Sequence, residues 1–248
     1  HFLISSTDSV YDYAQDIIKA YTDGDPDFQM TRTSRDYLFS GEDYDCYYNV
    51  RTYLFGKNTY ENAAYFITSV TEYTQNNKTL ATINRTFSYN WYNQSGEGPY
   101  EASDTGETTL IFEDDKWKAY GNQEDYPAPS AELITCESAP DFVPVGSKTV
   151  FTESDEKVTI LTYLKNVGNG FTISSKWYAP DGSLYLEKPY VLDWGERPLC
   201  DRSNSSVWFS LKSEGHTDQW NAQQGQWRVD VYINGTLTAQ TYFEYRQN

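Results

Sequence analysis

Aromatic side chains make up an unusually large part of the apolar material in this chain, and they limit the kind of core it can build. Leucine, isoleucine, valine and phenylalanine account for 48 of the 248 residues, just under the one-fifth mark below which disorder becomes a concern. The 23 tyrosines and 7 tryptophans raise the number of large apolar side chains to 78. Because each ring buries a large area, the sequence predicts a folded chain of one large or two ordinary domains with a ring-rich core.

The charge balance excludes two classes of partner. Lys and Arg number 19 against 36 Asp and Glu, which gives a formal net charge of −17. Nucleic acid requires a basic protein face, and an anionic membrane surface attracts basic segments. No apolar run approaches the ~18 residues of a membrane-spanning helix. We therefore expect no nucleic-acid partner and no membrane insertion.

Helical periodicity is confined to the start of the chain. Apolar residues recur at helical spacing over 10–21, with a capping residue among positions 7–9, Gly24 at the expected C-cap and Pro26 just beyond. Weaker apolar spacing predicts a second helix over 45–55. The first segment thus predicts a helix with one buried face, formed by Val10, Tyr13, Ala14, Ile17, Ile18 and Tyr21.

From residue 65 onward the period changes toward two, which is typical of strands. The residues of 79–92 alternate, so that Arg85, Phe87, Tyr89 and Trp91 share one face. The polar break at 75–78 predicts a hairpin turn. The first half is therefore predicted to end in an antiparallel meander with strands at 65–73, 79–92, 107–112 and 116–121.

Prolines and small polar residues interrupt the middle of the chain and predict a linker over 125–147, between a first domain at 1–124 and a second at 148–248. The second domain has no helical periodicity. Asp181-Gly182 and Asn234-Gly235 are strong two-residue turn signals. Seven short strands are predicted, at 148–152, 157–166, 172–179, 183–186, 206–211, 226–233 and 236–245, which is typical of a β-sandwich.

Two resemblances sharpen these predictions. Residues 10–122 resemble the NTF2-like fold, also called SnoaL-like or cystatin-like, through the helix end KAYTDGD at 19–25 and the closing hairpin at 106–121. That fold packs N-terminal helices into a strongly bent antiparallel sheet, and its members include isomerases, hydratases and noncatalytic modules. The resemblance implies an α+β cone domain, with catalysis, where it occurs, by a carboxylate in the cone beside a Tyr or His.

The second half resembles the immunoglobulin-like sandwich domains of secreted microbial proteins. The likeness covers residues 141–245 and depends on KWYAPDG at 176–182 and GQWRVDVYING at 225–235. The Cys…Trp…Cys pattern of antibody domains is absent. The expected fold class is therefore an NTF2-like α+β cone followed by an all-β immunoglobulin-like sandwich, and the second domain is expected to support, space or bind.

Cysteines and glycosylation sequons indicate an extracellular or cell-surface location. The three cysteines form no CxxC pair, and we expect Cys136 to bond with Cys200, which leaves Cys46 alone or available to another molecule. Chance in a Thr-rich chain accounts for part of the sequon count. Five asparagines stand in N-x-[ST] sequons and are predicted glycosylation sites: Asn77, Asn84, Asn93, Asn204 and Asn234.

The meander supplies the candidate ligand site. Arg85 on the same face as Tyr89 and Trp91 predicts a site for an anion or a carbonyl, and the alternative is a ring-packed core with a surface arginine. We do not choose a catalytic residue. Further candidates for pocket residues are Asp36, Tyr37 and Asp104.

Metal sites are the other candidates. Asp23, Asp25 and Asp27 alternate in a loop, as calcium ligands do, whereas the alternative is a helix cap and a turn. The chain has two histidines, His1 and His216. An N-terminal histidine can bind copper through its amine and its ring, and such a site would need His216 as the second histidine ligand. No cofactor is expected, and calcium at Asp23, Asp25 and Asp27 is the main alternative.

Taken together, these features predict an exported, noncatalytic binding or structural protein at the cell surface. The alternatives are an NTF2-like enzyme acting on a small molecule in the cone, and a carbohydrate-binding module. The partner is expected to be another surface protein, a glycan or a second copy of the chain. The apolar segment 1–6 and a strand over 236–245 at or near a sheet edge suggest head-to-tail assembly into a filament.

Overall fold

A computed structural model describes residues 8–211 and 223–246. The chain divides into two compact units. The first contains the described residues up to Pro127 together with Glu196–Asp201, and the second contains Ala128–Gly195 and the residues from Arg202 onward. The chain is mostly β, with its α-helices in the first unit.

The described part of the first unit contains three helices and six strands. In chain order they are α1 (Val10–Asp23), α2 (Pro26–Met30), β1 (Leu38–Phe39), β2 (Glu42–Asp43), α3 (Tyr44–Lys57), β3 (Asn58–Gln75), β4 (Lys78–Asn93), β5 (Tyr100–Glu113) and β6 (Lys116–Ala119). β1 pairs with β2, and the other four strands form an antiparallel sheet in the order β3-β4-β5-β6.

Helix α1 forms where the apolar spacing predicts it, and both of its ends are capped. Ser9 and Asp12 form a capping box, in which the Ser9 N–H donates to the Asp12 carboxylate over 2.8 Å. Gly24 ends the helix in the left-handed conformation, where a side chain would be strained. The predicted face is buried apart from Ile18, and Ala20, which was not predicted, is buried with it.

The meander follows from its turns and its alternation. Asn76 and Asn77 both have positive φ, as a two-residue hairpin turn requires, and Gln75 pairs with Lys78. The strands β3 and β5 are longer than predicted, and β3 carries two irregularities in its pairing with β4. Side chains of α1 and of the sheet share one buried cluster, which includes Tyr13, Ile17, Tyr21, Tyr60, Ile83, Phe87, Leu110 and Trp117.

The second unit consists of two sheets that share a core. Its strands are β7 (Ser130–Cys136), β8 (Val150–Thr152), β9 (Val158–Gly168), β10 (Thr172–Tyr178), β11 (Leu184–Val191), β12 (Arg202–Leu211), β13 (Gly225–Ile233) and β14 (Thr236–Arg246), with a single 3-10 turn at Pro140–Phe142. The sheet orders are β11-β10-β13-β14-β8 and β12-β9-β7. Both sheets contribute to one cluster of fully buried side chains that includes Phe151, Ile160, Trp177, Trp227 and Phe243.

One prediction about this unit needs correction. The predicted linker 125–147 contains strand β7, because Ala131 and Leu133 pack against the core while β7 pairs with β9. Prolines bracket this strand, and they caused it to be missed. The terminal strand β14 lies near the edge of its sheet, as predicted, but β8 pairs in parallel with its last residues, Glu244–Arg246.

Candidate functional site

The first unit holds a cavity of about 410 Å³. Helices α1 and α3 and strands β4 and β5 supply most of its wall. The lining combines rings with a few polar and charged groups. Its main residues are Ile17, Tyr21, Gln29, Tyr37, Glu42, Tyr47, Arg51, Tyr65, Arg85, Phe87, Tyr89, Asp104 and Glu107.

Local periodicity places these side chains in the cavity. Tyr13, Ile17 and Tyr21 are four residues apart and therefore lie on one face of α1. Tyr47 and Arg51 have the same spacing on α3. On β4, alternate residues point to the same side of the sheet, which brings Arg85, Phe87 and Tyr89 to the cavity as the sequence predicted.

A cluster of rings forms the apolar part of the wall. The Tyr21 ring lies at its centre, with centroid distances of 4.7 Å to Phe87 and 5.1 Å to Tyr89. Its centroid is also 5.2 Å from that of Tyr60 and 5.1 Å from that of Phe55. Most of these contacts are edge-to-face, the geometry that favours aromatic pairs. The rings therefore form a fixed surface against which an apolar ligand can pack.

Arg85 lines the cavity but has protein partners there. Its guanidinium forms an ion pair of 2.6 Å with the Asp104 carboxylate and donates to the Asp104 carbonyl oxygen over 2.7 Å. Its Nε donates to the Thr108 hydroxyl over 3.1 Å. The charge of Arg85 is thus largely neutralised by residues of the neighbouring strand β5.

Trp91, the third predicted ligand residue, does not line the cavity. It is partly buried at the end of β4 and packs against the Tyr100 ring, with a centroid distance of 4.5 Å. The structure therefore brings Arg85 and Tyr89 together and leaves Trp91 outside the cavity. Of the further candidates, Tyr37 and Asp104 line the cavity, whereas Asp36 binds Lys78 at the surface.

Arg51 is the functional residue that sequence reasoning missed. Its Nη1 donates to the Tyr21 hydroxyl over 2.7 Å, and its guanidinium lies 4.7 Å from the Tyr47 ring centroid. Its Nε is fully shielded from solvent and has no hydrogen-bond partner among the described residues. The spacing of Tyr47 and Arg51 on a weakly amphipathic helix was the only sequence signal for it.

Gln29 presents a second unpaired polar atom to the cavity. The residue is 2% exposed, and its Nε2 donates to the Tyr47 hydroxyl over 2.7 Å. Its buried Oε1 has no partner in the described part of the chain. Turning the amide over would exchange donor for acceptor, so one polar atom stays unpaired in either orientation. An unpaired buried polar atom is costly, so a partner for this amide would be favourable.

Among the carboxylates of the lining, Glu42 is the nearest in sequence to Tyr47 and Arg51. A tight turn positions it. Ser40 and Gly41 both have positive φ between β1 and β2, and a Cβ on Gly41 would lie 2.3 Å from the Tyr126 ring. Burial raises the pKa of Glu42, and the charge of Asp201 adds to the increase, while Arg51 opposes it. Burial likewise raises the pKa of the Tyr37 phenol, which therefore stays protonated.

The predicted calcium site does not form, because its three carboxylates have separate roles. Asp23 pairs with Lys19, Asp25 caps α2 by accepting from the Phe28 N–H over 2.9 Å, and Asp27 accepts from the Tyr48 hydroxyl over 2.8 Å. The described residues contain no group of three or more His, Cys, Asp or Glu side chains that could hold a metal ion. The capping alternative is the one that the structure supports.

The predicted Cys136–Cys200 disulfide is wrong. Cys200 bonds to Cys46, with 5.8 Å between the Cα atoms, and Cys136 is free and fully buried. The reason is that Glu196–Asp201 belongs to the first unit, although strands of the second unit flank it in sequence. The Tyr126 hydroxyl holds this segment further by donating to the Cys200 carbonyl over 2.6 Å. The bond therefore fixes the first turn of α3, the helix that carries Arg51.

The predicted glycosylation sites differ in their surroundings. Asn77 and Asn234 occupy hairpin turns, and Asn204 is exposed on β12. Asn84 donates to the Ser69 hydroxyl over 2.9 Å. Asn93 is the most engaged, since its side chain both donates to the Glu97 carboxylate and accepts from the Glu97 N–H, each over 2.9 Å.

Two sequence predictions lie outside the described residues: the copper site of His1 and His216, and the docking of segment 1–6. In the part of the chain that the structure describes, no helix is long and apolar enough to cross a membrane.

The sequence matches no protein-family model and no curated protein. Solved structures give distant likenesses. A ketosteroid isomerase-like protein from Erwinia carotovora atroseptica is 14% identical, with 45% of this chain and 88% of that chain covered and a TM-score of 0.38. An immunoglobulin-like protein from Pseudomonas aeruginosa is 13% identical, with 48% of this chain and 93% of that chain covered and a TM-score of 0.29. Likenesses of this size say nothing about activity.

Proposed function

We propose that this chain is an exported, noncatalytic binding protein whose first unit takes up a small organic molecule in its cavity. In this proposal the first unit is an NTF2-like α+β cone, since helices and a four-stranded meander share its core. The second unit is an immunoglobulin-like sandwich, since two antiparallel-rich sheets share its core. The sandwich supports or spaces the binding unit and offers a surface for self-association.

The single observation that carries the proposal is the cavity itself. A cone with a purely structural role would be filled by its own side chains, whereas about 410 Å³ stays open here. Ligand sites are typically concave, largely apolar, and equipped with a few polar groups that fix orientation. The ring cluster around Tyr21 supplies the apolar wall, and the unpaired atoms of Gln29 and Arg51 supply the polar groups.

One observation favours a second candidate, an enzyme acting on a small molecule in the same cavity. A carboxyl group with a raised pKa can serve as a general acid or base, and Glu42 lines the cavity with its pKa raised by burial. The protonated phenol of Tyr37 lines the same wall and would donate a hydrogen bond. Turnover of a bound compound, sensitive to Glu42→Gln, would favour the enzyme over the binding protein.

An extracellular or cell-surface location is part of the proposal. The Cys46–Cys200 bond is compatible with an oxidising compartment, where disulfides persist. Secretion from eukaryotic cells followed by mass spectrometry of the sequon peptides tests the glycoprotein part. We expect glycan on the hairpin-turn residues Asn77 and Asn234 and on exposed Asn204, and a chain with five unmodified sequons would contradict it.

The binding function is tested by closing the cavity from its rim. Asp104 lines the cavity, is exposed and pairs across the strands with Phe87, another lining residue, so Asp104→Trp would place a large ring at the opening. Glu101 lies on the same strand, is exposed, is not part of the lining and pairs with Asn90 on the other face of the sheet, which makes Glu101→Trp the matched control. A fragment screen by thermal shift should give hits that Asp104→Trp abolishes and Glu101→Trp retains. Hits that persist in both variants would place binding elsewhere and contradict the proposal.

A further inference from the structure

We infer that the ligand of this cavity is a small organic carboxylate, held by its acid group at Arg51 and by its hydrocarbon body against the rings of Tyr21, Phe87 and Tyr89. This inference rests on the proposed binding function and names the chemical class of the ligand. Four observations carry it: the difference between the two arginines, the position of Arg51, the unpaired atom of Gln29, and the shape of the wall.

The two arginines of the cavity differ in how their charge is compensated. Arg85 has the Asp104 carboxylate at 2.6 Å. Among the described residues, Arg51 has no carboxylate oxygen within 4.0 Å, and its hydrogen-bond partner is the neutral hydroxyl of Tyr21. A guanidinium stays charged at every physiological pH, and a charge removed from water without an opposite charge is unfavourable. An anionic ligand would provide the missing counter-charge.

The geometry of Arg51 suits a carboxylate more than a single-atom anion. The guanidinium carbon lies 4.7 Å from the Tyr47 ring centroid, within the range of a cation–π contact. The Tyr21 hydroxyl occupies Nη1, while the shielded Nε remains unpaired. A planar guanidinium donates most effectively to two oxygens of a planar acid group. Because Nε is closed to solvent, a ligand carboxylate would approach Arg51 from the cavity side of the guanidinium, through its Nη groups.

Gln29 extends the polar end of the site. Its amide is held by the Tyr47 hydroxyl, the same side chain whose ring covers Arg51. In the opposite amide orientation Oε1 would accept from the Tyr47 hydroxyl, and the NH2 group would become the donor available to an acid group. The polar groups thus gather around Tyr47, whereas the ring cluster lies around Tyr21 and Phe87. A ligand with an acid at one end and an apolar body at the other matches this division.

The experiment compares a charged and a neutral probe that share the same ring. Benzoate and benzamide have the same ring and similar shape, and both are titrated calorimetrically at neutral pH into the full chain. We expect benzoate to bind at least tenfold more tightly, because charge-assisted hydrogen bonds are stronger than neutral ones. In Arg51→Gln the preference should fall to within about twofold. Arg51→Lys, which retains the charge without the planar fork, should keep part of it and guards against a folding defect.

Arg35→Gln is the matched control. Arg35 is exposed, lies outside the cavity lining and stacks on the Tyr44 ring at 4.0 Å. Arg35→Gln therefore removes one positive charge from the first unit, as Arg51→Gln does, without changing the cavity. The benzoate preference should survive this change. Equal affinity for both probes, or a preference that Arg85→Gln abolishes and Arg51→Gln does not, would overturn the carboxylate inference and leave the binding function intact. Absence of binding for both probes at millimolar concentration would contradict the binding function itself.

Discussion

Arg51 on α3 donates a hydrogen bond of 2.7 Å to the hydroxyl of Tyr21 on α1, and so joins the two helices that flank the cavity. The bond pairs a full positive charge with a neutral acceptor. Arg32, in contrast, is 3% exposed and binds the carboxylates of Asp8 and Asp16 at 2.6 and 2.7 Å. The fold thus compensates the charge of Arg32, whereas the charge of Arg51 is left for a ligand to compensate.

This difference predicts that the same substitution affects stability much more at Arg32 than at Arg51. Arg32→Met should lower the free energy of unfolding by about 3 kcal/mol, since it leaves two carboxylates without their counter-charge. Arg51→Met should change it by less than about 1 kcal/mol, because removal of an uncompensated charge offsets the lost hydrogen bond. Urea denaturation of the two variants measures both values. Equal losses in the two variants would mean that Arg51 is a structural residue.

The Asp8–Arg32 ion pair predicts how stability depends on acid. Burial alone would raise the pKa of Asp8, but hydrogen bonds from Arg32 and from the Trp117 N–H outweigh burial and hold the pKa below its ordinary value of 3.8. The folded state therefore binds this proton less tightly than the unfolded state does. The stabilisation is fully present above pH 3.8 and is lost as the pH falls through the lowered pKa.

Asp8→Asn tests this pH dependence. The variant should be less stable than wild type by about 2 kcal/mol at neutral pH, and the difference should shrink toward zero in strong acid. Glu72→Gln, which removes an exposed carboxylate on β3, serves as the control and should stay within about 0.5 kcal/mol of wild type throughout. A difference between Asp8→Asn and wild type that is constant with pH would refute the assignment.

Glu42 predicts how carboxylate binding depends on pH. Burial raises the pKa of Glu42 above 4.5, Asp201 raises it further, and Arg51 lowers it. Below the raised pKa Glu42 is neutral, and above it the side chain carries a negative charge beside the ligand. Benzoate affinity should therefore weaken as the pH rises through that pKa, and Glu42→Gln should bind with an affinity that is flat over this interval. A Glu42→Gln profile identical to that of wild type would remove Glu42 from the site.

The Cys46–Cys200 disulfide predicts a redox effect on stability and binding. The bond spans 154 positions, for which the loop-entropy model gives an upper value of about 5 kcal/mol. A reductant, or the double change of Cys46 and Cys200 to Ser, should lower the unfolding midpoint and weaken benzoate binding, because the first turn of α3 is released. Cys136→Ala should leave the response to reductant unchanged, since this thiol is free and buried. An unfolding midpoint that is the same with and without reductant would contradict the Cys46–Cys200 pairing.

The elements that local pattern determines were predictable from the sequence. The caps at Ser9 and Gly24 fix α1, and the Asn76-Asn77 turn fixes the register of β3 and β4. Alternation along β4 correctly placed Arg85 and Tyr89 on the cavity side of the sheet. These features depend on neighbours within a few positions, so one sequence is enough to recognise them.

The elements that distant contacts determine were not predictable. Arg51 became recognisable as a site residue only through Tyr21, which lies 30 positions away in the sequence. The pairing of Cys200 depends on a segment that folds with the other half of the chain. Strand β7 was hidden because its flanking prolines resemble a linker, whereas its pairing with β9 fixes it. In each case the deciding partner lies far along the chain.

The most direct test of the carboxylate site is a crystal structure of the protein soaked with 4-bromobenzoate, whose bromine is located by anomalous scattering. We predict that the carboxylate lies within hydrogen-bond distance of the Arg51 guanidinium and that the brominated ring packs against Tyr21 and Phe87. A probe bound outside the cavity, or one inside it with its bromine at Arg51 and its acid group at the rim, would contradict the proposed site.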